Sequence, residues 1–443
     1  MGTWFRAVRR RMVVAIRRRS DWTRAGRGND SRAMYAMATL DSIMVRSRLR
    51  LRVALRACFL LAGSVLLPAP AAALSLGVET TPAGDLFPAL DLSQSRAADA
   101  SEAYAGNGLL RLRIAHPGRS RKVRLSVATP GLLAPAVIDA RIDGEVVLRP
   151  RLQWDIRALR EIRAVRRQTL QVTLDSPGLK PIVRTIEVRL HPLDEALYFV
   201  REGASRIDLG WSFAAWVDPQ DPVIDELLEL AGIDASEQMR APSSRAGRLE
   251  RARAIWLGLE RHGLRYADDS AGISQGPVVY SQRVRLLSST WGERVANCLD
   301  GSVLIASALE RLGVGSFLVL VPGHAFVGFY TDDARHEAEF LETTLLGFAG
   351  RSQPAATGSV EPAIRQRALE GFEAARRAGR DRYRKIAPRL DGRHRPDYAL
   401  IDISKARAYG IMPLAVGRGD RAGSAPVAFS TPLRPQRPAR QNP

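Results

Sequence analysis

Apolar and polar side chains alternate through most of residues 107–190, and the alternation stops near 215. Leu110, Leu112 and Ile114 alternate with Arg111 and Arg113, and Val123, Leu125 and Val127 repeat the pattern. Leu170, Val172 and Leu174 do the same, as do Ile186, Val188 and Leu190. A period of two puts one face of a strand against a core and the other in water. Turn formers separate the runs at Pro117-Gly118, Pro130-Gly131, Asp143-Gly144 and Pro177-Gly178. The pattern predicts an all-β, sandwich-like antiparallel domain over 107–212. Residues 74–106, small, polar and Pro-containing, read as a linker before it. His116 and His191 both stand beside proline at turns and read as structural.

From 213 the period changes. Asp221-Pro222 opens a helix through Leu227, Leu228 and Leu230 that stops at Gly232, with Pro in the first turn and Gly at the exit. Ser244 caps a second helix carrying Leu249, Ala252, Ile255, Trp256 and Leu259, ending at Gly263. Strands followed by helices and further strands predict an α+β domain over 213–350 with N-terminal helices. Residues 361–379 again read as helix, within a C-terminal helical extension over 351–414. The Arg/Pro/Gly/Ser-rich tail from 415 reads as disordered.

The chain carries a formal charge of +20, which raises the question of a nucleic-acid partner. Most of the excess lies in 1–73, with fifteen arginines, no lysine and three aspartates. The remainder holds only +8, with no dense basic run interleaved with aromatics, so nucleic-acid binding loses its support. Arg46, Arg48, Arg50, Arg52 and Arg56 precede a short apolar run, Ala57–Leu67, and then Pro68-Ala-Pro-Ala-Ala-Ala73. A basic n-region, a short h-region and a small-residue cleavage site make 44–73 a signal peptide cut near Ala73. The run is short of the ~20 residues that span a bilayer. A retained N-terminal anchor is the alternative, and the expected location is exported and periplasmic. Met44 gives a conventional start for such a signal, so 1–43 reads as an untranslated or disordered extension.

There are two cysteines, and Cys58 leaves with the signal. Cys298 is then the one thiol of the exported chain, either a buried apolar residue or a reactive group. Asn297 stands before it as an N-cap and Asp300 three residues on, resembling a capping box for a helix that stops at Gly313. Cys298 thus falls in the first turn, where unpaired N–H groups and the helix dipole favour a thiolate. Asp300 opposes this with a nearby negative charge. Phe317–Val321, Pro322-Gly323 and His324–Tyr330 read as two strands joined by a turn, with His324 at the start of the second. Glu342 follows 18 residues later in a strand ending Leu341-Glu342-Thr343-Thr344. A carboxylate there accepts the imidazole Nδ1–H, fixes the tautomer and stabilises imidazolium.

Asn297-Cys-Leu-Asp300, Pro322-Gly-His-Ala-Phe-Val-Gly-Phe329 and Leu341-Glu-Thr-Thr344 together resemble the transglutaminase-like superfamily. The resemblance covers about residues 245–350, and the block 398–414 looks more loosely like the tail of its bacterial members. It implies a papain-like core with a Cys298–His324–Glu342 triad. Glu stands where most relatives carry Asp, one methylene longer. The implied chemistry is attack by the Cys298 thiolate on a peptide or amide carbonyl, with His324 as base and then acid, through an acyl-thioester passed to water or an amine. A protein or peptide substrate, possibly of the cell envelope, is implied, and no cofactor. The oxyanion needs donors, for which the Cys298 N–H and the Gln282 side chain are candidates, with Gln275 second to Gln282. A non-catalytic envelope scaffold is the alternative function, and a basic factor binding acidic envelope polymer a weaker third.

Other constellations are poorer. Cys298, His324 and His336 lack the spacing of a zinc site, so no metal is expected. Glu339 is the nearest substitute for Glu342 if the strand register differs. Trp291 reads as core packing or as a wall of the site.

Overall fold

The computed structural model describes residues 74–94, 109–134, 136–150, 152–203, 205–234, 240–268, 273–276, 278–347, 360–414 and 416. The extension 1–43, the signal segment 44–73 and nearly all of the tail lie outside them. The described chain is a mixture of helices and several β-sheets. No helix among these residues is long and apolar enough to cross a membrane.

The first sheet holds β1 (Ser75–Thr80), β2 (Asp85–Leu86), β3 (Leu110–Ala128), β4 (Ala136–Leu148), β5 (Arg166–Asp175) and β6 (Ile182–Leu190). The 19-residue β3 organises it. On one edge β3 pairs with β1 through 110–115 and with β5 through 124–128; on the other it pairs with β4 across a register shift between His116 and Arg121. All six strands therefore share one hydrogen-bonded sheet. One bent strand with two partners on the same edge wraps a single sheet around its own apolar face. The alternating residues supply that face: Leu110, Leu112, Ile114, Val123, Leu125, Val127, Leu170, Val172 and Leu174 are all buried.

Residues 74–106 are not a linker over their first part. Strand β1 forms an edge of the sheet, β2 pairs in parallel with β6, and a short helix, Pro88–Leu92, follows. Leu76, Leu86 and Phe87 enter the same core. The remaining expected linker residues, 95–106, lie outside the described ones.

A second sheet, in the order β10-β11-β7-β8, joins β7 (Glu195–Glu202) and β8 (Ser205–Asp208) to β10 (Ile273–Gln275) and β11 (Val279–Arg283). The boundary expected at 212 gives way here, because β7 pairs with β11 across a long stretch of intervening chain. That stretch contains helices α1 (Pro222–Ala231) and α2 (Arg245–His262), capped by Asp221 and Ser244 and stopped by left-handed Gly232 and Gly263. The aromatic ring of Trp256 is fully buried between them and the later helices. Truncating it is expected to cost about 3–5 kcal/mol.

The sheet that positions the site runs β15-β14-β13-β16, all antiparallel. It comprises β13 (Ser316–Val321), β14 (His324–Tyr330), β15 (Ala338–Leu341) and β16 (Ala399–Asp402). Against one face lies helix α3 (Cys298–Arg311), whose Val303, Leu304, Ile305, Ala306, Ala308 and Leu309 are buried. The other face holds Phe317, Val319, Phe326 and Phe340, covered by Tyr383, Ile386 and Leu390 from and just beyond helix α4 (Val360–Ile386). The C-terminal extension expected to begin at 351 is thus part of this unit. It supplies one strand of the sheet and the cover of one face, and its helix continues past 379 to Ile386.

Candidate active site

Three local structures bring the predicted residues together. The first is the start of α3. The Asn297 side chain accepts from the N–H groups of Leu299 and Asp300, both at 2.9 Å, and Asp300 returns a bond from the Asn297 N–H at 3.2 Å. The Gly301 N–H goes to the Asn297 carbonyl. This capping box satisfies the first-turn donors around Cys298, while the Cys298 N–H takes no acceptor among the described residues. A free donor therefore sits beside the thiol itself, with the positive end of the helix dipole behind it. The charge of Asp300 is compensated, since its Oδ2 accepts from the Arg285 guanidinium at 2.9 Å. Burial pushes the Asp300 carboxyl up, against the bonds from Arg285 and Asn297 that favour its ionised form.

The second is the β13–β14 hairpin. Val321 pairs with His324 across Pro322-Gly323, and Gly323 takes φ +69°, which glycine reaches without a Cβ clash. His324 therefore opens β14 at the end of the sheet nearest the start of α3.

The third is the turn after β15. Glu342 follows the last paired residue, Leu341, and accepts from the Thr344 N–H and hydroxyl. Thr343 locks this turn to the start of α3 by donating from Oγ1 to the Cys298 carbonyl at 2.9 Å. Gly301 allows the approach: a Cβ there would stand 3.1 Å from the Thr343 Cβ and from a Leu346 methyl.

His324 Nε2 lies 3.0 and 2.9 Å from the two Glu342 carboxylate oxygens. Cys298 is the second acidic neighbour that raises the same imidazole. With Nε2 committed to Glu342, Nδ1 is the nitrogen left for sulfur. This corrects the expectation that Nδ1 faces the carboxylate: His324 enters from the strand end and presents the far ring nitrogen to the acid. Burial disfavours imidazolium, yet the bonds to Cys298 and Glu342 outweigh it and hold the His324 pKa at about 9. Burial likewise raises Glu342, and its hydrogen bond and attraction to His324, together with the charge of Arg382, bring it below the usual carboxylate range.

The other candidates separate. Gln282 donates from Nε2 to the Arg283 carbonyl at 3.0 Å, and no hydrogen bond links it to Cys298 or His324. Gln275 is placed by its backbone alone, opposite Tyr280 on β10. Glu339 is buried beneath Arg245, Arg376 and Arg380, so it is committed to cations away from the imidazole. Trp291 stacks on His262 with ring centres 3.5 Å apart and donates to Glu226 at 2.7 Å, which makes it packing. Among the described residues no group of three or more His, Cys, Asp or Glu side chains is placed to hold a metal ion.

Two neighbours escaped the sequence. Arg382 of α4 approaches Glu342 Oε2 with Nε at 2.8 Å. Tyr266 of β9 (Arg265–Tyr266) pairs with Ala296 of β12 (Val295–Ala296) in a short parallel ladder two residues before Cys298, and burial together with the charges of Cys298, Asp268 and Glu342 raises its phenol. Neither residue stands in a motif with the triad. Only the long-range packing of the chain brings them in. No protein-family model matches the chain, and no curated protein matches it.

Proposed function

We propose that this chain is a cysteine-dependent hydrolase or acyltransferase acting on peptide or amide bonds, with a transglutaminase-like, papain-like core and a Cys298–His324–Glu342 triad. The observation that carries the reading is an imidazole held through Nε2 by a buried carboxylate, with a partly exposed thiol at a helix start as its other acidic neighbour. That order of groups is the one by which an imidazole activates a thiol and a carboxylate holds the imidazole in place.

In the proposed reaction the Cys298 thiolate adds to the substrate carbonyl, forming a C–S bond and a tetrahedral oxyanion. The Cys298 N–H faces that oxygen as a donor. The His324 imidazolium gives its Nδ1 proton to the departing amine as the C–N bond breaks, leaving an acyl-thioester and neutral imidazole. A water or an acceptor amine then loses a proton to His324 as it attacks, and the thiolate is restored with the C–S bond broken. Glu342 stays ionised throughout and holds the imidazole in one orientation. The substrate class is protein or peptide, met outside the cytoplasm if 44–73 acts as an export signal.

Mass spectrometry after exposure to a library of peptide p-nitrophenyl esters tests the reading. The wild-type protein is expected to gain one acyl group on Cys298, and Cys298→Ala none. Equal adducts on both proteins would sink the proposal.

A further inference from the structure

The acid strand is held from outside by α4, and the contacts fall on one face of that helix. Ala375, Gly379 and Arg382 are spaced four and three residues apart, which stacks them on one side of a helix. The Ala375 carbonyl accepts from the Glu342 N–H at 3.1 Å. Gly379 presses on the strand backbone, where a Cβ would stand 2.7 Å from the carbonyl carbon and oxygen of Phe340. Arg382 completes the row with its 2.8 Å ion pair to Glu342. Arg376 and Arg380 are committed to Glu339, and Arg384 to Asp381, so each of these arginines has another carboxylate.

A carboxylate has about four lone-pair sites. In Glu342 they are occupied by His324, Thr344 and Arg382. The acid therefore cannot rotate away from the imidazole without losing partners on the other side. Arg382 also brings charge: thiolate, imidazolium, carboxylate and guanidinium sum to zero, whereas the first three alone carry one negative charge.

We infer that Arg382 is a positioning residue of the triad, acting through Glu342 to fix the carboxylate and to restrain the proton affinity of His324. The inference rests on the triad reading above. A cation on the far side of the carboxylate weakens its pull on the imidazolium proton, so His324 remains acidic enough to protonate a leaving amine. Removing the charge makes His324 hold its proton to higher pH.

The test is the rate of Cys298 alkylation by iodoacetamide as a function of pH, with thermal melts in parallel. Deprotonation of His324 puts an alkaline inflection in that rate. In Arg382→Gln the inflection is expected to move up by about half a pH unit, the scale of one partly exposed ion pair. Arg382→Lys is expected to restore most of its position. In a Glu342→Gln background the Arg382→Gln shift is expected to vanish, since the arginine acts through that carboxylate. An inflection unmoved in Arg382→Gln, or moved equally with and without the Glu342 carboxylate, overturns the inference. A lowered melting temperature with an unmoved inflection likewise leaves Arg382 a merely structural residue. His324→Gln separates the two levels. If the His324→Gln profile matches that of the wild type, the triad reading fails; if it loses the reactivity below neutral pH and becomes the single titration of an ordinary thiol near ~8.5 while Arg382→Gln does nothing, only the role of Arg382 fails.

Discussion

Among the described residues two histidines are held by buried carboxylates, and only one of them has a thiol beside it. His191 sits where the first sheet meets the second. Its Nε2 lies 2.9 Å from Asp85 and its Nδ1 3.1 Å from Glu195, and its ring stacks on Phe87 at 3.7 Å. The Ser281 hydroxyl donates to Glu195 at 2.5 Å. His324 has one carboxylate and one thiol. Burial lowers both imidazole pKa values, and in both the acidic partners reverse the effect. A raised histidine pKa therefore does not mark a site. What separates the two is a ring nitrogen left to a nucleophile beside a free backbone donor.

The largest effects break this pair apart by function. His324→Gln is expected to slow acylation of Cys298 by about 10²–10⁴-fold, the range of a lost general acid–base group. His191→Gln is expected to leave the rate unchanged and lower the melting temperature instead. Matched kinetics and melts on the two variants decide it; a comparable loss of rate in both would mean that the two clusters are coupled. Next comes Asp85→Ala, which strips the buried His191 of one carboxylate. About 3 kcal/mol of stability is expected to go, as when one partner of a buried pair is removed, measured by urea unfolding. The Arg189 partner of Asp85 is 62% exposed and adds little.

The clusters also differ in when they stabilise. His191 is raised in the fold, so its contribution is full below the unfolded value of about 6.5 and fades as pH rises through its folded value. Asp85 and Glu195 are lowered, because their bonds and attraction to neighbouring cations overcome burial. Their contributions are full above about 4.5 and fade as pH falls through the folded values. The stability difference between wild type and His191→Phe is therefore expected to peak between about pH 4.5 and 6.5. For His324 the raised value of about 9 keeps imidazolium in place across neutral pH, and acylation is expected to fall above it. Melts of both proteins from pH 4 to 10, set beside the acylation profile, measure the two windows. A flat stability difference would remove the ion-pair account of His191.

The two clusters were unequally legible before the fold. Asn297, Asp300 and Gly313 signal a capped helix within a few residues, and Pro322-Gly323 signals the hairpin that places His324. These are local codes, and the candidate triad could be read from them. The His191 cluster draws on Asp85, Glu195 and Ser281, which lie on strands β2, β7 and β11, and no local pattern joins those. The same holds for β1 inside the expected linker, for β16 completing the site sheet, and for Arg382, one arginine among several on its helix. Which imidazole nitrogen meets the acid is also hidden, because it depends on how β14 approaches the turn after β15.

Strand β11 carries the smallest predicted effects. Neighbouring strand residues point to opposite faces. Ser281 is buried toward Glu195, and Gln282 stands half-buried on the other side. Ser281→Ala removes a hydrogen bond to a charged group, expected to cost about 1.5 kcal/mol with no change in rate. For Gln282→Ala the geometry implies a rate loss below about threefold, because a working oxyanion donor is worth ~10²–10³ and this amide is spent on the Arg283 carbonyl. Acylation rates on the two variants are enough. A hundredfold loss in Gln282→Ala would mean that its amide turns from Arg283 to the oxyanion when substrate binds. The donor set would then include the second sheet, and β11 would join a structural histidine cluster on one face to a catalytic one on the other.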